Sequence, residues 1–108
     1  MIHELRIYEC VPGRLPALHQ RFETVTLRIW ERLGIRQAGF WTAVIGESNQ
    51  TLYYLLEWES LAERETKWAA FVQDPEWLKA RAETEKDGPI VAKVTNYILE
   101  PTRYSSVR

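Results

Sequence analysis

The chain has 108 residues, 45% of them hydrophobic, which suits one compact core and leaves no room for a catalytic domain plus a regulatory one. Fourteen Lys and Arg against fifteen Asp and Glu give a formal charge of −1, without the basic excess that binding to nucleic acid or an anionic membrane draws on. The single cysteine, Cys10, can form no internal disulfide, no apolar run approaches the roughly 20 residues of a membrane span, and the chain opens on strand-like residues rather than a signal peptide. The expectation is one cytoplasmic domain over residues 1–108.

Residues 2–10, Ile-His-Glu-Leu-Arg-Ile-Tyr-Glu-Cys, alternate in character and predict a strand, broken by Pro12-Gly13. Leu15, Leu18, Phe22, Val25, Ile29 and Leu33 then recur at steps of three and four, the stripe of a helix of about five turns, with Gly34 where a left-handed C-cap belongs. Ile35–Ile45 and Thr51–Trp58 predict a hairpin around Gly46–Gln50, and Gly39 inside the first run marks a bulge or a close backbone approach. Ser60-Leu61-Ala62-Glu63 is a capping box, with the Glu63 carboxylate expected back on the Ser60 amide, opening a helix that should bury Leu61, Trp68, Phe71 and Val72. Asp74-Pro75 restarts the chain as a second short helix carrying Trp77 and Leu78. Asp87-Gly88-Pro89 ends it, Ile90–Leu99 alternates as the last strand, and a polar tail runs from Pro101 to Arg108.

The order β-α-β-β-α-β, its second helix broken in two, predicts a ferredoxin-like antiparallel sheet with helices on one face. Placing Leu5 and Ile7 toward the helices sends Glu4, Arg6 and Tyr8 to the open face. The third strand offers Leu52, Tyr54, Leu56 and Trp58 inward and Tyr53, Leu55 and Glu57 outward. Tyr8, Tyr53, Leu55, Tyr97 and Leu99 would then expose more apolar surface than a monomer usually tolerates, so a homodimer through the open sheet face is expected. Within that interface Glu4, Arg6 and Glu57 should form an ion-pair cluster, unless Arg6 instead orients an anionic substrate.

Glu4-Leu5-Arg6-Ile7-Tyr8, Pro12-Gly13-Arg14, Gly39-Phe40-Trp41-Thr42, Ser60-x-x-Glu63-Arg64-Glu65-x-x-Trp68, Asp74-Pro75-Glu76-Trp77 and Thr102-x-Tyr104-Ser105 occur in order over nearly the whole chain. Together they resemble the NIPSNAP family. The resemblance implies the dimeric α+β barrel superfamily, which includes cofactor-independent monooxygenases, haem-degrading monooxygenases and stress-induced barrel proteins. It implies no particular reaction.

His3 and His19 are the only histidines. His19 stands one helical turn before Glu23, but two ligands do not make a site, and no metal, haem or other cofactor is expected. Cys10 has no base beside it in sequence. Glu57 and Glu59 share a strand face about 7 Å apart, with no other sign of an acid/base pair. His19, Phe22, Tyr54, Trp58, Trp68 and Trp77 are the candidate lining of a pocket between helices and sheet for a small aromatic ligand. No catalytic residue is singled out. Two functions fit these residues: a homodimeric small-molecule-binding or interaction protein, or a cofactor-independent monooxygenase or isomerase acting on a flat aromatic substrate, in which Tyr54 or His19 handles a proton.

Overall fold

A computed structural model describes residues 1–107. Strands β1 (Ile2–Cys10), β2 (Arg36–Thr42), β3 (Thr51–Trp58) and β4 (Val91–Leu99) form one antiparallel sheet in the order β2-β3-β1-β4. Between β1 and β2 run α1 (Leu15–Arg21), a π-helical turn (Phe22–Thr26) and α2 (Leu27–Leu33); between β3 and β4 lie α3 (Leu61–Val72) and α4 (Pro75–Thr84). The ferredoxin-like order read from the sequence is therefore the observed one, with a wider turn set into the first helix.

That turn changes which residues are buried. Leu15, Leu18, Phe22 and Ile29 lie in the core as the apolar stripe requires, but Arg21, Thr26 and Trp30 are buried as well. A π turn adds a residue to one turn, so positions five and then four apart, here 21, 26 and 30, share a face that a regular helix would not give them. The helix ends where Gly34 adopts φ +76°, and the Lys67 ammonium from α3 donates to the Gly34 carbonyl at 2.9 Å.

β2 stops at Thr42, short of the expected Ile45, and Val44 and Ile45 stand in solvent. Gly39 has φ +146° at a shift in the β2–β3 register, and a Cβ there would lie 2.6 Å from the Trp41 ring. Both halves of the expectation for Gly39 therefore hold at one residue.

Ser60 caps α3 by accepting from the Glu63 amide at 3.1 Å, but the Glu63 carboxylate reaches past Ser60 to the Glu59 amide at 2.8 Å. Leu61 and Val72 are exposed, contrary to the expected face. Trp68 and Phe71 face the sheet as expected, with Arg64 one turn before Trp68 beside them. Asp74 caps α4 by accepting from the Trp77 amide at 3.1 Å and takes Arg32 of α2 at 2.8 Å, while Leu78 points outward.

The largest departure concerns β1. Its Cα partners pair Glu4 with Leu56, Arg6 with Tyr54 and Tyr8 with Leu52, so all three lie on the helix side, and Leu5 and Ile7 take the open face. Glu57, Tyr53 and Tyr97 remain on that open face, so the expected cluster of Glu4, Arg6, Tyr8, Tyr53, Glu57 and Tyr97 is split across the sheet. Glu57 lies 4.0 Å from Arg36, and Glu59, beyond the end of β3, lies 3.4 Å from the same guanidinium. Apolar alternation misplaced the strand because both of its faces need cover, and its polar side is the one whose partners arrive from α3. The inversion makes the open face more apolar: Trp41, Tyr53, Ile7 and Thr95 form one row across four strands, and Leu55, Leu5 and Tyr97 another.

Replacing Ser60 by Ala removes the acceptor for the first turn of α3 and should lower stability by about 1 kcal/mol. Denaturant unfolding reads it as a lower midpoint at unchanged slope; an unchanged midpoint would place the start of the helix elsewhere.

Candidate functional site

The side chains that organise the helix side of the sheet begin with Glu4, which is completely buried. Its carboxylate accepts from Arg6 Nη1 at 2.9 Å, Arg64 Nε at 2.7 Å, Arg64 Nη2 at 3.0 Å, Asn96 Nδ2 at 2.9 Å and Trp58 Nε1 at 3.1 Å. Burial alone would push this carboxyl up, but the donors from Arg64 and Asn96, the charge of Arg6 and the Trp58 indole outweigh it and hold it at about 2.

Arg6 carries the arrangement outward. Its Nε donates to Tyr54 Oη at 2.9 Å and its Nη2 to Tyr8 Oη at 3.3 Å, while the guanidinium lies 4.4 Å from the Trp68 ring centroid. Because Tyr54 Oη accepts from Arg6, its own proton goes to Tyr8 Oη at 2.7 Å. Burial pushes the Tyr54 phenol well above its ordinary range, so it stays a neutral donor. Tyr8, accepting from both Arg6 and Tyr54, is left to donate its proton toward whatever lies in front of it.

In front of Tyr8 is a cavity of about 300 Å³ between α3, α4 and the β1–β4 edge, walled by Trp68, Phe71, Trp77, Val91 and Val94. Arg6, Arg21, Arg81 and Lys93 bring positive charge to it, against the carboxylate of Glu85. Glu85 is shared by Arg21 at 2.9 Å and Arg81 at 3.3 Å, and the Arg21 guanidinium lies 5.0 Å from the Trp77 ring centroid. Two arginines thus lie over two tryptophans on neighbouring walls.

The candidate residues named from sequence do not share one pocket. Trp68 and Trp77 line this cavity. His19 and Phe22 line a different one of about 310 Å³, between the first helix and β2, together with Glu23, Leu27, Phe40 and Trp41. Tyr54 and Trp58 are fully enclosed, Tyr54 connected to this cavity through Tyr8 and Arg6 and Trp58 serving as a donor to Glu4. Neither Tyr54 nor His19 lines the cavity beside Trp68 and Trp77. Cys10 is buried and its thiol is pushed up by that burial. Sequence reading missed Arg21, Arg81 and Lys93; the spacing of five between Arg21 and Thr26 conceals Arg21 at helical period, and Lys93 is hidden because cavity and sheet edge coincide on β4.

A four-stranded antiparallel sheet with helices on one face defines a ferredoxin-like α+β domain. Within that class the chain belongs to the NIPSNAP family, whose family model matches residues 3–106. It is similar to a NIPSNAP-like domain protein from Burkholderia xenovorans, at 28% identity and a TM-score of 0.84, covering 96% of this chain and 87% of that one. It is likewise similar to a NIPSNAP family protein with unknown function from Agrobacterium tumefaciens, at 27% identity and a TM-score of 0.86, covering 100% of this chain and 94% of that one. A Pseudomonas aeruginosa structure at 14% identity, with a TM-score of 0.64 over 94% of this chain and 93% of that one, shares the fold alone. A comparison with curated proteins finds no match.

The low carboxyl of Glu4 has a pH signature. Depressed in the folded chain from an ordinary 4.5 to about 2, it contributes fully above pH about 4.5, and the contribution is lost as pH falls toward 2. Acid unfolding followed by tryptophan fluorescence should show about 3 kcal/mol of stability disappearing across that window. Glu4→Gln should be less stable at neutral pH by about 3–5 kcal/mol, because two guanidinium groups lose their carboxylate, and should lose stability less steeply in acid; a slope equal to that of the unmodified protein would refute the assignment.

Proposed function

We propose that the protein is a homodimeric binding protein for a small anionic molecule with a flat apolar body, held in the cavity between Trp68, Trp77 and the β1–β4 edge. The observation that carries this reading is the imbalance of charge around an aromatic wall: Arg6, Arg21, Arg81 and Lys93 face the cavity against Glu85. A volume of about 300 Å³ lies at the small end of ligand sites and suits a single ring with a short acidic substituent. Arg6 and Arg21 are each held by a carboxylate and lie over a tryptophan, so they meet a ligand already oriented.

Dimerisation is supported by the open face and by β4. The rows of Trp41, Tyr53 and Ile7 and of Leu55, Leu5 and Tyr97 form a continuous apolar surface. β4 is an edge strand that adds Tyr97 and Leu99, each more than two-fifths exposed, to this face. Edges and patches of this kind attract a second sheet, and a second copy of the chain brings the same apolar face.

Benzoate, followed by isothermal titration or tryptophan quenching, should bind the unmodified protein, whereas benzylamine, of similar shape and opposite charge, should not. Lys93→Glu should weaken benzoate about tenfold. Equal binding of the two probes, or binding of neither, would overturn the anionic-ligand reading. Sedimentation equilibrium should return twice the mass of the chain, and Leu5→Asp should shift the protein to the monomer; a monomeric unmodified protein at micromolar concentration would overturn the dimer.

A further inference from the structure

Behind the main cavity is a smaller, more enclosed recess of about 30 Å³. It shares Tyr8, Arg21, Phe71 and Trp77 with the main cavity and is closed at the back by Thr26 and Trp30. Arg21, Thr26 and Trp30 come from the face that the π turn creates.

Its walls are mostly aromatic, Phe22 among them, with a few donors set into them. Arg21 Nε and Trp30 Nε1, on side chains 6% and 2% exposed, have no acceptor among the described residues. Tyr8, already accepting from Arg6 and Tyr54, adds an O–H with no acceptor among the described residues. A buried donor left unmade is costly, and native proteins leave few. Two residues with orphaned N–H groups and one with a spare hydroxyl therefore meet at one void, a combination that suits an acceptor. The volume excludes a ring and admits an oxygen.

We propose that this recess is an oxyanion subsite: one oxygen of a ligand carboxylate enters it and accepts from Arg21 Nε, Trp30 Nε1 and Tyr8 Oη, while the flat body stays between Trp68 and Trp77. The assignment of the flat body rests on the cavity function proposed above; the oxygen site does not. It names the ligand class more narrowly, as an aromatic or similarly planar carboxylic acid whose carboxylate enters first. The Arg21–Glu85 pair fixes the arginine through Nη1 at 2.9 Å and leaves its Nε without a partner among the described residues.

The indole N–H resonances of 15N-labelled protein test this with two probes. Formate, which needs no ring site, should shift the Trp30 indole downfield and leave that of the exposed Trp41 in place. Benzoate should shift Trp30 together with Trp68 and Trp77, and Trp30→Phe should weaken benzoate about tenfold. Benzoate that moves Trp68 and Trp77 but not Trp30, with Trp30→Phe binding as before, would overturn the oxyanion subsite and leave the cavity reading standing. Formate that moves Trp30 while benzoate moves no indole would uphold the subsite and overturn the cavity as its ring site. Silence from both probes would overturn both. Should Trp30→Phe fail to fold, the formate titration of the unmodified protein decides the matter.

Discussion

One buried carboxylate ties this fold together. Glu4 accepts from Arg6 beside it on β1, from Trp58 at the end of β3, from Asn96 on β4 and from Arg64 on α3. Three strands and a helix therefore meet at a group that costs several kcal/mol to desolvate and is stable there only with every partner in place. Arg64 then sets the azimuth of α3, and one turn later Trp68 comes down over Arg6. Arg6, held at one end by Glu4, positions Tyr54 and Tyr8. The polar interior of the sheet is thus a chain of dependence running from a structural ion pair to the hydroxyl at the cavity.

Much of the fold was legible because its signals were local. Gly34 and Gly39, the serine and aspartate caps and the two breaks at Pro12-Gly13 and Asp87-Gly88-Pro89 each act within a few residues, and the order of elements follows from them. The face of β1 was not legible. Alternation assumes one apolar and one polar side, whereas here Leu5 and Ile7 point to the open sheet face and the charged side finds its partners sixty residues away on α3. The cavity suffered the same limit. Trp68 and Trp77 were identifiable as aromatics on the second helical segment, yet the arginines opposite them come from β1, α1 and α4, and only packing reveals that they converge.

The pairing of guanidinium and indole recurs at two points on the cavity wall, Arg6 with Trp68 and Arg21 with Trp77. Each arginine also has a carboxylate, Glu4 or Glu85. Such a group is neutralised on one edge, shielded on one face and restrained in rotation, so it keeps direction as well as charge. A ligand meeting such a wall loses less to ordering of the protein than one that must collect flexible lysines.

The π turn gives the first helix two independent azimuths. Residues before Phe22 and residues after Thr26 are related by a rotation that a regular helix would not have, so the apolar stripe and the face carrying Arg21, Thr26 and Trp30 are both satisfied on one rod. Deleting a single residue within 22–26 would rewind the segment to regular pitch and turn α1 by about 100° against α2. The helix would survive as a helix while Arg21 swung away from Trp30. A change of one codon in length, without any change in the chemistry of the side chains, would therefore be enough to take apart the face that closes the recess.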